Sequence, residues 1–138
     1  MRVAIGGSTG LIGAALATRL RAEGHAGVTL PRHEPSQPSD RRWDPSSLSI
    51  DPPCLDDVDA VVNLAGAPIA GSRWTDDYKD TLVSSRVNST RLVVQALESS
   101  SRCRIFLSGS AVGFYGAHCG SRWLYEDDRS GSGFLAQV

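Results

Sequence analysis

The stretch Gly6-Gly7-Ser8-Thr9-Gly10-Leu11-Ile12-Gly13 constrains this chain more than any other. Ahead of it, Met1-Arg2-Val3-Ala4-Ile5 is a short apolar run with β-branched members, the pattern of a strand buried in a parallel sheet. Behind it, residues 11–23 carry Leu11, Ala14, Ala15, Ala17, Thr18, Leu20 and Arg21 in helical company, with Gly24 as the expected stop. A glycine triplet alone says little. Strand, glycine turn and helix in that order are the context a dinucleotide fingerprint requires. In the spacing Gly7-x-x-Gly10-x-x-Gly13 each glycine has a task. Gly7 permits the tight turn, Gly10 lets backbone approach a pyrophosphate, and Gly13 lets the helix lie close on the sheet. The N–H groups of the first helical turn, with the helix dipole behind them, then face the phosphates. Candidate cofactor-binding residues here are Gly7, Ser8, Thr9, Gly10, Leu11, Ile12 and Gly13. The alternative is a glycine-rich turn that holds no ligand.

A chain of 138 residues is long enough for one domain with a real core, spanning 1–138, and too short for two. The net charge of −1 argues against nucleic acid or an acidic membrane as a partner. No apolar run reaches transmembrane length, and Gly6, Gly7 and Gly10 break the only candidate signal peptide, so a cytoplasmic protein is expected. Cys54, Cys103 and Cys119 lack CxxC spacing and are odd in number, which reads as reduced, partly buried thiols with no metal and no disulfide. Lys79 is the only lysine.

After Gly24 a short strand, Gly27-Val28-Thr29-Leu30, ends at Pro31. Six of the seven prolines fall between Pro31 and Pro53, which disfavours a helix there, and Ser47-Leu48-Ser49-Ile50 supplies only a short edge strand. Residues 52–57 suit one helical turn. Asp59-Ala60-Val61-Val62-Asn63-Leu64-Ala65-Gly66 is an apolar strand emptying into a small-residue turn. Thr75 is a good N-cap, with Asp76 and Asp77 on the first turn behind it. Leu82, Val83, Val87, Leu92, Val93, Ala96 and Leu97 recur at near-helical spacing before residues 98–101 end the run. Cys103-Arg104-Ile105-Phe106-Leu107 is the next strand and leads into Ser108-Gly109-Ser110. Residues 117–133 are polar and turn-rich, and Phe134 opens a helix. Strands alternating with helices imply α/β, a doubly wound parallel sheet in the order 3-2-1-4-5. That order brings the Gly7, Ala65-Gly66 and Ser108-to-Ser110 turns to one crevice.

Together these segments resemble an extended or atypical short-chain dehydrogenase/reductase, and more closely its "epimerase family protein" branch, also described as nucleoside-diphosphate-sugar epimerase-like or SulA-type. The resemblance rests on GGSTGLIG, on Asn63 to Gly66, on Arg73-Trp74-Thr75, on Ser85-Arg86 with Thr90-Arg91-Leu92, and on Ser110 to Gly116. It covers the chain from Arg2 to Gln137. It implies a Rossmann-type NAD(P)-binding domain from the amino-terminal half of a longer protein, short of the last strands and of a substrate lobe.

Arg32 follows the second strand, where an NAD-preferring site places Asp or Glu for the ribose 2′-hydroxyl and where arginine suits a 2′-phosphate. The resemblance also favours NADP over NAD. The other reading of Arg32 is an ordinary solvated side chain, as expected for Arg41 and Arg42. Leu64, Ala65 and Gly66 are candidates for the adenine-ribose side. Asp44 touches adenine or stabilises the turn before Pro45. Arg86 reaches pyrophosphate or pairs with an aspartate of its own helix. Ser108 and Gly109 complete the cofactor candidates.

Ser110 matches the serine that such relatives place beside a substrate oxygen; its alternative is a turn hydroxyl. The usual Tyr-x-x-x-Lys pair, in which the ammonium lowers the phenol pKa, is absent. Its expected place holds Phe134 and Val138, and Tyr125 with Arg129 has the spacing but lies in an acidic turn. Tyr115 is the remaining candidate acid. Three readings compete: an NADP-dependent epimerase or oxidoreductase with an unknown small-molecule substrate, expected to be inactive as this chain alone; a non-catalytic NADP-binding sensor or interaction protein; and a fragment that binds nothing because its sheet is incomplete. The open sheet edge after the last strand is the expected route to a homo-oligomer.

Overall fold

The computed structural model describes residues 1–116 and 120–138; Cys119 and the start of the polar tail lie outside them. Strand β1 (Arg2–Gly6) is followed by helix α1 (Leu11–Ala22) and strand β2 (Ala26–Leu30). A hairpin of β3 (Trp43–Asp44) and β4 (Ser49–Ile50) comes next, then a 3-10 turn (Pro52–Leu55) and strand β5 (Ala60–Asn63). Helix α2 (Asp76–Ser99), strand β6 (Ile105–Ser108), a second 3-10 turn (Val112–Tyr115) and α3 (Phe134–Gln137) complete the chain. The ends follow local chemistry. Thr75 Oγ1 accepts from the Tyr78 N–H at 3.3 Å to cap α2, and α1 stops at Gly24, whose φ is +77°.

The four main strands form one parallel sheet in the order β2-β1-β5-β6, a Rossmann-like sheet with helices on its faces. The chain moves outward from β1 to β2 and then resumes on the other side of β1 at β5. That reversal makes a crevice at the carboxyl ends of β1 and β5.

One expected strand is missing from this sheet. Residues 47–50 do not extend it beyond β2; Ser49 and Ile50 pair antiparallel with Asp44 and Trp43 instead. A single parallel bridge between Thr29 and Asp40 is all that lies outside β2 among the described residues. Pro31, Pro35 and Pro38 explain the difference, because each lacks the N–H that a ladder needs. The expected order therefore holds for strands 2-1-4-5, with the third reduced to that bridge.

Alternation along the strands divides the core between two faces. Ala4, Val28, Leu30 and Val61 pack with Leu92, Val93 and Ala96 of α2, and with Trp43, Cys54 and Leu55. Val3, Ile5 and Ala60 face Leu16, Ala17 and Leu20 of α1. Burying Leu92 or Val93 is worth about 2 kcal/mol each in water-removal terms. Burial also pushes the Cys54 thiol up to about 12, so it packs as an inert apolar group. Cys103 is half-buried, and both are free thiols. Among the described residues no helix is long and apolar enough to cross a membrane.

Candidate functional site

A cavity of about 510 Å³ opens at the carboxyl ends of β1, β2 and β5. Its walls are the Gly7-Ser8-Thr9-Gly10 turn, Pro31-Arg32-His33 after β2, and Leu64-Ala65-Gly66-Ala67 after β5, with Trp43 and Pro45 from the hairpin. A second cavity of about 350 Å³ shares Arg32, Pro45, Ala67 and Ser85 with the first and extends to Asp44, Ser84 and Asn88.

The glycine turn is held by sterics. A Cβ on Gly7, where φ is +78°, would meet the Leu64 carbonyl oxygen at 2.7 Å, and one on Gly13 would meet the Gly7 carbonyl oxygen at 2.2 Å. Gly10 differs. Its φ is −75°, open to any residue, and the nearest atom to an added Cβ is the Gly7 oxygen at 3.4 Å. Nothing in the fold demands glycine at position 10. Gly10 also caps α1 without a side-chain acceptor, and no acidic residue stands in the helix's first turn. The site therefore offers uncapped N–H groups and a vacant Cβ position, the fit required by an anionic group at a helix N-terminus.

The turn after β5 is clamped from α2. Asn63 is buried; its Nδ2 donates to Ser89 Oγ and Thr90 Oγ1, each at 3.2 Å, and its Oδ1 accepts from the Ala65 N–H at 3.2 Å. Ser85 Oγ accepts from the Ala67 N–H at 2.9 Å. Arg86 donates to the carbonyls of Leu82 at 2.9 Å and Ala67 at 3.2 Å. Its guanidinium lies against Gly66, where a Cβ would come within 3.1 Å of Cζ. Arg86 thus bonds backbone carbonyls rather than an aspartate of its own helix, and it does not line the cavity.

Arg32 lines both cavities, and among the described residues its guanidinium has no hydrogen bond or ion pair. Arg41 is not a solvated surface group: it donates to the Pro38 carbonyl at 2.9 Å and pairs with Asp57 at 3.5 Å. Asp44 stabilises its turn. Hydrogen bonds from Ser46 and then Ser47 hold its carboxyl down to about 2.

Of the expected three turns, the Ser108-to-Ser110 turn stays outside the cavity walls. It follows β6, one strand beyond β5, and meets the site's rim at Gly109, whose N–H donates to the Asn63 carbonyl at 2.8 Å and whose added Cβ would lie 3.2 Å from Leu64 Cδ2. Ser108 and Ser110 are exposed. Tyr115 stands on the second 3-10 turn, its ring edge-on to Phe114 at 5.2 Å, and does not line the cavity. Leu11 and Ile12 are exposed beside the glycine turn without lining it. Phe134, in the place expected for tyrosine, packs edge-on against Trp74 at 5.6 Å. Lys79 pairs with Asp76 at 3.1 Å.

Residues 3–132 match the sequence profile of the NAD dependent epimerase/dehydratase family. The chain belongs to this family. It is 41% identical over 136 residues to an epimerase family protein of Mycobacterium leprae, covering 99% of this chain and 44% of that protein. Among solved structures it resembles a nucleoside-diphosphate sugar epimerase from Corynebacterium glutamicum with a TM-score of 0.85 and 39% identity, over 99% of this chain and 28% of that one. Human epimerase family protein SDR39U1, crystallised with NADPH, gives a TM-score of 0.84 at 29% identity, over 99% of this chain and 45% of that one. The chain thus spans less than half the length of these relatives.

For this epimerase family chain, the residues missed by sequence reasoning are those of the cavity's far wall. Trp43 is 2% exposed, and its Nε1 is buried with no partner among the described residues. Its ring reaches Gly6, where a Cβ would lie 3.2 Å from Cη2. The available signal is a tryptophan isolated in a proline-rich segment. His33 gives no signal beyond adjacency to Arg32, whereas Ser85 belongs to the Ser85-Arg86 segment that carries the resemblance without announcing a place in the cavity wall.

Proposed function

We propose that this chain is the NADP-binding domain of an epimerase or oxidoreductase acting on a sugar nucleotide or another carbonyl compound. The observation that carries the reading is Gly10: a glycine at the cavity wall that the fold itself does not require. A pyrophosphate lying on the first turn of α1 explains it, since any side chain there would occupy the phosphate's place. Bound, the dinucleotide would supply a hydride donor or acceptor. Gly7 to Gly13 hold its phosphates, Leu64 to Gly66 leave room for the adenosine, and Arg32 meets a 2′-phosphate. The NADPH bound by the human relative SDR39U1 supports the phosphorylated cofactor. Ser108, Gly109, Ser110 and Tyr115 stand on the side where substrate would enter, with Ser110 as hydrogen-bond donor to a substrate oxygen.

A second reading, a non-catalytic NADP-binding sensor, draws on Lys79 and Phe134. The one is tied to Asp76 and the other is packed on Trp74, so neither supplies half of a Tyr-x-x-x-Lys pair. Cofactor binding is common to both readings and is tested first. Calorimetric titration with NADPH should saturate in the unmutated chain. Gly10→Val should abolish binding while leaving the circular dichroism spectrum unchanged. Unchanged affinity in a folded Gly10→Val protein would overturn the proposal.

A further inference from the structure

The loop between β2 and β3 carries Arg32 and is built as a closed, rigid unit. It leaves the sheet at Leu30, which is 2% exposed, and returns to the same strand within about ten residues. The Thr29 N–H donates to the Ser39 carbonyl at 3.1 Å, and the Arg41 N–H donates to the Thr29 carbonyl at 2.9 Å. The returning end of the loop is thereby pinned on both sides of Asp40 to Thr29, next to the residue where the loop departs. Pro31, Pro35 and Pro38 fix φ along its length.

Its interior is organised by one carboxylate. Asp40 accepts from the Thr29 hydroxyl through Oδ1. Through Oδ2 it accepts from the Ser36 N–H at 2.8 Å, the Gln37 N–H at 3.0 Å and the Ser36 hydroxyl at 3.3 Å. Four donors from β2 and the far arm of the loop converge on Asp40, whereas Arg32 lines the cavity without a partner among the described residues.

We propose that Asp40 is a positioning residue for cofactor choice, holding the loop so that Arg32 stands ready at the 2′-phosphate position. This rests on Arg32 being the 2′-phosphate residue. A side chain on a preset loop binds without first ordering that loop, and apparent affinity falls in proportion to the fraction of time the loop is correctly placed. A loop released from Asp40 and correctly placed about a fifth of the time would weaken NADPH roughly fivefold. NADH makes no use of Arg32, so its affinity would stay the same.

The test measures NADPH and NADH dissociation constants for the 138-residue chain and for Asp40→Ala, Asp40→Asn and Arg32→Ala. Asp40→Ala is expected to weaken NADPH roughly fivefold and to leave NADH within about twofold. Asp40→Asn retains an acceptor for the Ser36 and Gln37 N–H groups and is expected to recover most of the NADPH affinity. Equal losses for both cofactors would reduce Asp40 to a purely structural role and overturn the inference, as would no change in either. If Arg32→Ala collapses the NADPH preference but a folded Asp40→Ala does not, this inference alone fails. If Arg32→Ala leaves the preference intact, the reading of Arg32 fails and takes this one with it. Should Asp40→Ala not fold, Thr29→Val removes one of the four donors isosterically. It is expected to shift the ratio in the same direction, and an unchanged ratio there overturns the inference.

Discussion

A Cβ on Gly13 would lie 2.2 Å from the carbonyl oxygen of Gly7, so the start of α1 and the glycine turn touch at a distance only glycine permits. Gly13→Ala must push the helix off the sheet, at a cost of about 3 kcal/mol or more. Gly10→Ala, by contrast, meets nothing closer than 3.4 Å and should cost no more than about 1 kcal/mol, the difference between two weak N-caps. Urea denaturation of the two variants checks this, and equal midpoints would refute the division of labour between the glycines.

The role proposed for Arg32 carries a prediction about cofactor choice. A charge-assisted contact to a 2′-phosphate is worth about 1.5–3 kcal/mol, so NADPH should bind roughly tenfold or more tighter than NADH. Arg32→Ala should remove most of that difference by weakening NADPH alone. Equal dissociation constants in the unmutated chain would end the assignment.

These two predictions rest on features that differ in how openly the sequence shows them. The glycine turn, the Thr75 cap and the strand before Asn63 are legible because each is fixed by residues adjacent in the chain. The third strand is not, because prolines at 31, 35 and 38 leave only Asp40 to bridge β2, and Ile50 finds Trp43 instead. Trp43 itself is hidden for the same reason: its place under Gly6 is a fit between segments 37 residues apart, counting from 6 to 43. Arg86 has the local signature of a phosphate ligand or an ion-pair partner, and no local pattern announces that it reaches back to the Ala67 carbonyl.

Asn63 joins the sheet to α2 and shapes the turn at the cavity wall. Asn63→Ala would leave the Ala65 N–H without its side-chain acceptor and a hole beside Ser89, which is fully buried. The expected loss is about 2–4 kcal/mol, seen as a thermal midpoint lower by roughly 6–15 °C. NADPH affinity should fall as well, because Ala65 lines the cavity. A variant as stable as the parent would mean that the network contributes nothing.

Asp44 gives the chain an acid-sensitive turn. Its carboxyl is lowered from 3.8 to about 2 by hydrogen bonds from Ser46 and Ser47. A depressed folded-state pKa stabilises the fold above 3.8, and that contribution disappears as pH falls through about 2. Asp44→Asn should therefore be less stable than the parent at about pH 6, and the gap should narrow between about pH 4 and pH 2. Thermal melts of both proteins across that range provide the check, and a gap independent of pH would contradict it.

The final prediction is that the 138-residue chain on its own binds cofactor and turns over nothing. Hydride transfer needs a substrate held against the nicotinamide with little freedom, and Ser110 is exposed on the turn after β6, outside the cavity walls. A serine hydroxyl donates a hydrogen bond but is no tuned acid, and the only lysine is paired with Asp76. The same end of the sheet exposes Ile105 by 43% and Leu107 by 57% on edge strand β6, a surface that invites pairing with another copy. Absorbance assays with NADPH against sugar nucleotides, aldehydes and ketones should stay flat, while light scattering reports species above monomer mass. Leu107→Lys should lower that mass by placing a charge on the edge. Steady NADPH oxidation by a monomer, lost on Ser110→Ala, would refute the prediction and return catalysis to the turn after β6.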